Sequence, residues 1–205
     1  GSGTVSSANV GTGKNVTSVN LALANGSGSA SNYSINSLIA EITGKPVTIS
    51  GSRLYDSTTT ASSSILTITS GVSGESLSLT GSGVLGAASA GTQTITNNNT
   101  LAIADGSGGL ASNYTLSGAT INVTIIPRTL NVTLSREYDG TTSVSGALLT
   151  PTFDSLQGGE TLALSGTGSV STANVGSSKA VSLGSIALVA GSGNPSNYSL
   201  NSATM

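Results

Sequence analysis

Apolar residues alternate with polar ones along most of this chain, in short runs that lack a helical period. Two of the clearest runs flank a proline. They are Ile121, Val123 and Ile125 before Pro127, and Leu130, Val132 and Leu134 after it. Side chains two residues apart project from the same face of a strand, so each run predicts a strand with one buried face and one solvated face.

Similar short alternations fill the remainder of the chain, and turn-forming residues separate them. The turn signals are rich in Gly, Ser and Asn and lie at residues 71–74, 81–83, 97–99 and 106–109. Successive alternations are spaced about ten residues apart, which is typical of an all-β sandwich or small barrel. We therefore expect an all-β protein of small, immunoglobulin-like β-sandwich units, and a β-grasp-like unit would give a similar strand count.

Four short motifs recur in a fixed order along the chain. Ser-Asn-Tyr ends at Tyr33, Tyr114 and Tyr198, and Tyr-Asp stands at residues 55–56 and 138–139. The other two are Gly-Ser/Thr-Gly at residues 1–3, 81–83 and 166–168, and Gly-Glu-Ser/Thr-Leu at residues 74–77 and 159–162. The period is about 80 residues, which is the size of a small domain and longer than one coil of a solenoid.

This period divides the chain into units arranged end to end. We predict the C-terminal half of a repeat at residues 1–44, a complete repeat at residues 45–126, and a repeat lacking its last strand at residues 127–205. The units meet at Gly44-Lys45 and at Pro127-Arg128. Because so short a connection with a proline restricts bending, we expect a stiff series of units.

Composition excludes several classes of function. The 205 residues include no Cys and no His, so neither a Ser-His-Asp nor a Cys-His catalytic arrangement is possible, and no zinc or iron–sulfur site of the usual kind is expected. Only 6 residues are Lys or Arg and the net charge is −2, which argues against a nucleic-acid partner. No apolar run approaches the roughly 20 residues of a membrane-spanning helix. We therefore predict neither an enzyme nor a cofactor, and no membrane insertion.

The final unit carries a set of motifs that resembles the YDG repeat. They are Arg136-Glu137-Tyr138-Asp139-Gly140-Thr141-Thr142, Gly158-Gly159-Glu160-Thr161-Leu162, Ala173-Asn174-Val175-Gly176, Lys179-Ala180-Val181 and Ser196-Asn197-Tyr198-Ser199-Leu200. The middle unit departs from this set with Tyr55-Asp56-Ser57 and Ala88-Ser89-Ala90-Gly91, and with Thr94 where Lys14 and Lys179 stand.

The resemblance implies a setting outside the bacterial cell. The YDG repeat and its MBG-type relatives occur in tandem in very large bacterial surface proteins. Many of those proteins are filamentous-haemagglutinin-like adhesins that are exported by two-partner secretion. The resemblance brings no established catalytic or ligand-binding residue, so the candidate sites must be judged from the residues themselves.

The Tyr-Asp motifs are the first candidates for a ligand contact, since one stands in each of the two later units. They comprise Tyr55 with Asp56 and Tyr138 with Asp139. Aspartate is also a turn residue that accepts backbone hydrogen bonds, and tyrosine packs its ring at a domain edge. We favour the turn over the ligand contact.

The Ser-Asn-Tyr motifs are the second candidates. Exposed tyrosines at Tyr33, Tyr114 and Tyr198 would form a carbohydrate platform, because an aromatic ring stacks on a sugar. Leu116 and Leu200 follow two of these tyrosines on the same strand face, which favours a role in the core.

Three further sites have weaker support. Asp139, Asp154 and Glu160 are too dispersed for calcium, which requires six to eight oxygen ligands. An isopeptide crosslink at Lys14 or Lys179 would need a buried lysine, asparagine and carboxylate together. Eight Asn-x-Ser/Thr sites matter only where a glycosylating enzyme exists. Those sites are Asn15, Asn25, Asn32, Asn98, Asn113, Asn122, Asn131 and Asn197.

We interpret the chain as an extracellular stalk or spacer region of a bacterial surface adhesin involved in cell adhesion, aggregation or biofilm formation. One alternative is that each repeat is a module that binds a glycan or a matrix polysaccharide. That alternative predicts exposed tyrosines, whereas the stalk predicts buried ones. Another alternative is a self-assembling filament subunit that donates a strand along an open sheet edge.

Overall fold

A computed structural model describes residues 2–18 and 20–205 of the chain, and the all-β fold of tandem β-rich units is confirmed. Gly1 of the first glycine motif and Val19, which the alternation places at the end of an early strand, lie outside the described residues. In chain order the strands are β1 Gly3–Val5, β2 Gly11–Ser18, β3 Ile39–Ile42, β4 Lys45–Leu54, β5 Thr60–Ser62, β6 Leu66–Thr69, β7 Leu77–Thr80, β8 Ser82–Leu85, β9 Gly91–Asn97, β10 Ala102–Asp105, β11 Tyr114–Ile126, β12 Arg128–Thr133, β13 Ser143–Ser145, β14 Thr152–Phe153, β15 Leu162–Ser165, β16 Thr167–Val170, β17 Ala180–Ser182, β18 Ala187–Ala190 and β19 Tyr198–Thr204.

The final repeat consists of a six-stranded sheet and a two-stranded sheet. The large sheet has the order β13-β16-β17-β19-β12-β14, and the small sheet pairs β15 with β18. Within the large sheet β12 and β19 run parallel, while the other neighbouring strands, such as β16 and β17, are antiparallel. The first and last strands of the repeat are therefore adjacent at the centre of the sheet.

The middle repeat has the same strand order. Its large sheet is β5-β8-β9-β11-β4-β6 and its small sheet pairs β7 with β10. Each strand of this set stands at the position of its counterpart in the final repeat, so the sequence period is also a structural period. The first repeat contributes a three-stranded sheet of order β1-β2-β3 among the described residues.

Internal contacts divide the chain into two compact units. The first comprises Gly1–Ile49, Thr67–Thr80 and Ala102–Thr120, and the second comprises Ser50–Leu66, Gly81–Leu101 and Ile121–Met205. The second unit thus contains part of the middle repeat together with the whole final repeat. The first unit contains the first repeat together with the small sheet of the middle repeat.

Two apolar cores lie in the second unit. The junction core combines residues of the middle and final repeats, and its buried members are Tyr55, Ala61, Leu85, Val123, Ile125, Leu130, Leu162 and Tyr198. The final-repeat core is made of Val132, Leu134, Val144, Leu164, Val170, Val181, Ile186 and Ala203. Each fully buried aliphatic side chain stabilises the fold by about 1.5–3 kcal/mol, so the junction core holds two consecutive repeats together.

The alternation around Pro127 predicts the centre of this fold well. Ile121, Val123 and Ile125 are buried members of β11, and Leu130 and Val132 are buried members of β12. The residues between them, such as Asn122, are exposed. Each run therefore has one buried face and one solvated face, as its period of two requires.

Two sequence expectations differ from the structure in strand boundaries. The alternations at residues 114–116 and 121–125, which by themselves predict two strands, belong to one continuous strand, β11. The counterpart of β11 in the final repeat is β19, which is shorter and ends at Thr204. Residues 20–23, whose sequence also predicts a short strand, have no regular structure, although the backbone N–H of Asn20 donates to the carbonyl oxygen of Ser2 at 3.2 Å.

The Gly-Ser/Thr-Gly motifs form turns only in part. Gly81 and Gly166 have φ of 76° and 77°, which suits a turn, but Gly83 and Gly168 lie inside strands β8 and β16. A Cβ atom on Gly168 would come within 2.4 Å of the Ser182 carbonyl oxygen. The second glycine of the motif therefore permits a close approach between strands rather than a turn.

Candidate functional site

A pair of buried tyrosines lies at the junction between the middle and final repeats, inside the second unit. Tyr55 follows β4 directly and Tyr198 begins β19 after a single-turn helix, Pro195–Asn197. Their exposed fractions are 3% and 5%. The ring centroids are 5.3 Å apart and the ring planes are inclined by 78°, which is the favourable edge-to-face arrangement of two aromatic rings.

Glu160 accepts a hydrogen bond from each of these tyrosines. The Tyr55 hydroxyl donates to Oε1 at 2.6 Å and the Tyr198 hydroxyl donates to Oε2 at 2.5 Å. The Tyr198 hydroxyl also accepts from the backbone N–H of Gln157 at 3.0 Å. Both carboxylate oxygens are thereby occupied, and charge-assisted hydrogen bonds of this kind are stronger than neutral ones.

Two further hydrogen bonds connect the same two repeats. The backbone N–H of Ala90 donates to Oδ1 of Asn197 at 2.8 Å, and Asn197 is buried. Nε of Arg128 donates to the carbonyl oxygen of Tyr55 at 2.9 Å. Polar groups of the junction are therefore paired as well as packed, which avoids the free-energy penalty of unpaired buried groups.

The first unit contains a related set of contacts, in which a tyrosine bonds a glutamate within the middle repeat and an asparagine connects the middle repeat to the first. The Tyr114 hydroxyl donates to Oε2 of Glu75 at 2.5 Å, and the backbone N–H of Val10 donates to Oδ1 of Asn113 at 2.9 Å. Nδ2 of Asn113 also donates to Oδ1 of Asn9 at 3.1 Å. The asparagine therefore connects consecutive repeats in both places, and the tyrosine–glutamate bond recurs within each of the two later repeats.

The surroundings of the tyrosines favour their neutral form. Burial, followed by the hydrogen bond to Glu160, raises the pKa of Tyr55 to about 12. Burial and the bond to Glu160 also raise the pKa of Tyr198. The hydrogen bond to Glu75, followed by burial, raises the pKa of Tyr114. These phenols act as donors to a carboxylate, and none of them is poised to act as a nucleophile or base.

The Tyr-Asp motifs are turns that an arginine holds in place. In the final repeat Oδ1 of Asp139 accepts from the backbone N–H and the hydroxyl of Thr141, and Oδ2 pairs with Arg136 at 2.9 Å. The hydrogen bonds from Thr141 lower the pKa of Asp139, against the effect of burial. Gly140 occupies the turn with φ of 74°.

The same turn occurs in the middle repeat. Asp56 accepts from the backbone N–H and the hydroxyl of Thr58, each at 2.9 Å, and forms an ion pair with Arg53. Burial alone would raise the pKa of Asp56, but the hydrogen bonds from Arg53 and Thr58 lower it below its ordinary value. Ser57 takes the place of the glycine with φ of 62°.

The five tyrosines among the sequence candidates divide into two groups. Tyr55, Tyr114 and Tyr198 are buried, whereas Tyr33 and Tyr138 have exposed fractions of 70% and 67%. The structure therefore brings Tyr55 and Tyr198 together at one junction and leaves Tyr138 on the surface of the final repeat. Tyr33 lies on the surface of the first repeat.

The remaining sequence candidates lie in separate settings. Asp154 accepts from the backbone N–H of Asn131 at 3.1 Å and from its side chain at 2.7 Å, while Glu160 binds the tyrosines. Among residues 2–18 and 20–205 no cluster of acidic side chains could hold a metal ion. Nζ of Lys179 donates to the carbonyl oxygen of Thr172 at 3.1 Å. Asn197, one of the Asn-x-Ser/Thr sites, is buried.

The role of Glu160 was missed at the sequence level, where this residue was considered only as a calcium ligand. A signal was nevertheless present. The chain has just 8 acidic residues, and two of them recur in the Gly-Glu-Ser/Thr-Leu motif, in step with the tyrosines of Ser-Asn-Tyr. A single acid that recurs at the same register as a tyrosine predicts a partner for its hydroxyl.

Comparison with known proteins identifies one family. The sequence-family model of the YDG domain matches the chain twice, over residues 40–123 and 124–205. No curated protein matches, and no solved structure matches. In the part of the chain that the structure describes, no helix is long and apolar enough to cross a membrane.

Proposed function

This chain belongs to the YDG domain family, and from that premise we propose that it is an extracellular stalk or spacer of a bacterial surface adhesin. In this role its repeats separate an adhesive part of the protein from the cell surface and thereby serve adhesion, aggregation or biofilm formation. Resemblance to tandem repeats of filamentous-haemagglutinin-like adhesins supports the setting.

The observation that carries the proposal is the use of the tyrosines. Tyr55 and Tyr198 are buried in the contact between consecutive repeats, where both hydroxyls donate to Glu160. A spacer needs contacts between repeats that resist separation. Packed aromatic rings around a carboxylate that accepts two hydrogen bonds provide such a contact. A carbohydrate platform would need these rings to be accessible to a ligand.

Glycan binding is the second candidate, and one observation favours it. Tyr33 and Tyr138 expose most of their surface, and an exposed ring can stack on a sugar. Contacts of this kind are weak singly but add through effective concentration when many repeats are present. The two candidates therefore differ in whether the exposed tyrosines bind a saccharide.

Two experiments separate these possibilities. Antibodies raised against the purified chain are expected to label intact producer cells, and labelling only after permeabilisation would contradict an extracellular stalk. The purified chain is then tested against extracellular polysaccharide and a glycan panel. A stalk shows no saturable binding. Saturable binding that is lost in a folded Tyr33→Ala, Tyr138→Ala double variant, and retained in a Leu148→Ala variant with an equally exposed change, would establish the glycan module.

A further inference from the structure

The final repeat has a surface cleft of mixed polar and apolar lining, on which two large apolar side chains are exposed. Tyr138 has an exposed fraction of 67% and Val175 one of 86%, and both line a cleft of about 110 Å³ together with Ala173 and Val170. We call this surface the Tyr138 face. Large apolar side chains exposed side by side are typical of a contact surface.

The same positions of the middle repeat are covered by the final repeat, within the second unit. Tyr55 stands where Tyr138 stands in the Tyr-Asp motif, and Ala88 and Ala90 stand where Ala173 and Val175 stand. Tyr55 is buried in the junction core, and both alanines pack against that core. One repeat therefore shows this face occupied, and the other shows it exposed.

We propose that the Tyr138 face is a docking surface for a complete YDG repeat joined in tandem to the final repeat. The docking repeat carries glutamate, asparagine and tyrosine at the positions of Glu160, Asn197 and Tyr198. Its glutamate accepts from the Tyr138 hydroxyl, and its asparagine accepts from the backbone N–H of Val175. This inference concerns assembly of the array and does not depend on the proposed location or on glycan binding.

Local bonds order the two loops that carry the Tyr138 face. Arg136 pairs with Asp139 at 2.9 Å, which fixes the turn that carries Tyr138. Nζ of Lys179 donates to the carbonyl oxygen of Thr172 at 3.1 Å and also to that of Asn174, which fixes the loop before Val175. A surface that is ordered before binding loses little conformational entropy when the partner arrives.

The choice of a tandem repeat as the occupant follows from the two junctions already present. In each, the asparagine of one repeat accepts from a backbone N–H of the repeat before it, at Val10 in the first unit and at Ala90 in the second. The connection at the second junction is direct, since β11 ends at Ile126 and β12 begins at Arg128. A repeat on a separate chain would have to dock without the short covalent link that brings consecutive repeats together. We therefore assign the Tyr138 face to a repeat in the same chain.

The test extends the full chain by one repeat. Met205 pairs with Lys179 as Asn122 pairs with Thr94, so a second copy of residues 123–205 is appended directly after Met205. The appended copy carries Tyr138→Phe, so that the original Tyr138 alone reports on docking. Exposed tyrosines are nitrated and the positions mapped by mass spectrometry. In the unextended chain Tyr138 and Tyr33 are expected to react.

In the extended chain Tyr138 is expected to react at least about tenfold more slowly, while Tyr33 stays reactive as an internal control. Glu160→Gln in the appended copy should restore part of the reactivity. A Tyr138 that remains as reactive as Tyr33, in an extended chain whose additional repeat is folded by circular dichroism, would overturn the proposal.

A second measurement uses the thermal stability of an extended chain whose appended repeat is folded by circular dichroism. Tyr138→Phe in the original repeat is expected to leave the melting midpoint of the unextended chain unchanged and to lower that of the extended chain. Equal shifts in both chains would overturn docking. Concentration-dependent self-association of the unextended chain that Tyr138→Ala abolishes would place the occupant on a second copy, and the tandem assignment would then be wrong.

Discussion

At the scale of single residues, the turn of the middle repeat contains a strained position that the final repeat avoids. Ser57 has φ of 62° where Gly140 has φ of 74°, while the aspartate and threonine bonds of the two turns are the same. A residue with a Cβ atom costs about 1–2 kcal/mol in this left-handed region. We expect Ser57→Gly to raise the free energy of unfolding by about 0.5–1 kcal/mol, since glycine also gains entropy in the unfolded chain.

Chemical denaturation of the two proteins checks this prediction. The matched control is the reverse change, Gly140→Ser, which should lower stability by a similar amount because the same strain is introduced into the final repeat. If Ser57→Gly is neutral or destabilising while the turn is intact, the serine must make a compensating contact in the native state.

The sequence predicts the residue-scale chemistry only where a motif carries its own geometry. Aspartate followed two residues later by threonine predicts a turn, because the partners are local in the chain. The partner of Tyr55 is Glu160, which is more than one hundred residues away, and no local pattern reveals that pairing. A tyrosine in so aromatic-poor a chain is expected to be buried. Whether a particular tyrosine is buried or exposed depends on whether another repeat covers it.

At the scale of strands, the alternation of apolar and polar residues identifies the strands that have an apolar face and misses the strands that have none. β11 and β12 have buried Ile, Val and Leu at every second position. β9 has the sequence GTQTITN, and β16 has TGSV, so a polar or glycine-rich strand resembles a loop in the sequence. These strands are placed by backbone pairing with apolar neighbours, which is a tertiary effect that propensity does not report.

The strand glycines give a prediction at this scale. A Cβ atom on Gly168 would lie 2.4 Å from the Ser182 carbonyl oxygen and 2.8 Å from Cδ1 of Ile186. Because one of these atoms is backbone in the neighbouring strand β17, Gly168→Ala must displace that strand. We expect a loss of about 1–3 kcal/mol in the free energy of unfolding.

Gly26→Ala is the matched control, because a Cβ atom there has no neighbour within 4 Å. Its effect should stay within about 0.5 kcal/mol. Denaturant midpoints measured side by side decide the matter, and equal effects of the two substitutions would mean that β16 and β17 adapt to the additional methyl group at little cost.

At the scale of the whole molecule, the sequence period and the compact units divide the chain differently. Both family matches cover one full period, whereas each compact unit combines parts of two consecutive repeats. The sequence period records the unit that was duplicated. The contacts record where apolar surface is buried, and in this array much of it is buried between repeats, as the junction core shows.

The tyrosines of these junctions make stability dependent on alkaline pH. The pKa of Tyr55 is about 12 in the folded chain, against an ordinary value of 10.0. Between these values the unfolded chain loses the proton and the folded chain retains it. Stability is therefore fully present below pH 10 and falls as the pH rises toward 12, by at most about 1.4 kcal/mol per pH unit for one proton.

Removing the titrating group should remove its part of this dependence. Tyr55→Phe keeps the ring in the junction core and is expected to flatten the fall of the denaturant midpoint above pH 10, although it lowers stability at neutral pH by leaving Oε1 of Glu160 without its donor. Tyr33→Phe, at an exposed ring, should leave the profile unchanged. If the denaturant midpoint falls equally above pH 10 in the wild type and in Tyr55→Phe, Tyr55 does not retain its proton in the folded state. Its hydrogen bond to Glu160 would then not be what stabilises the junction at high pH.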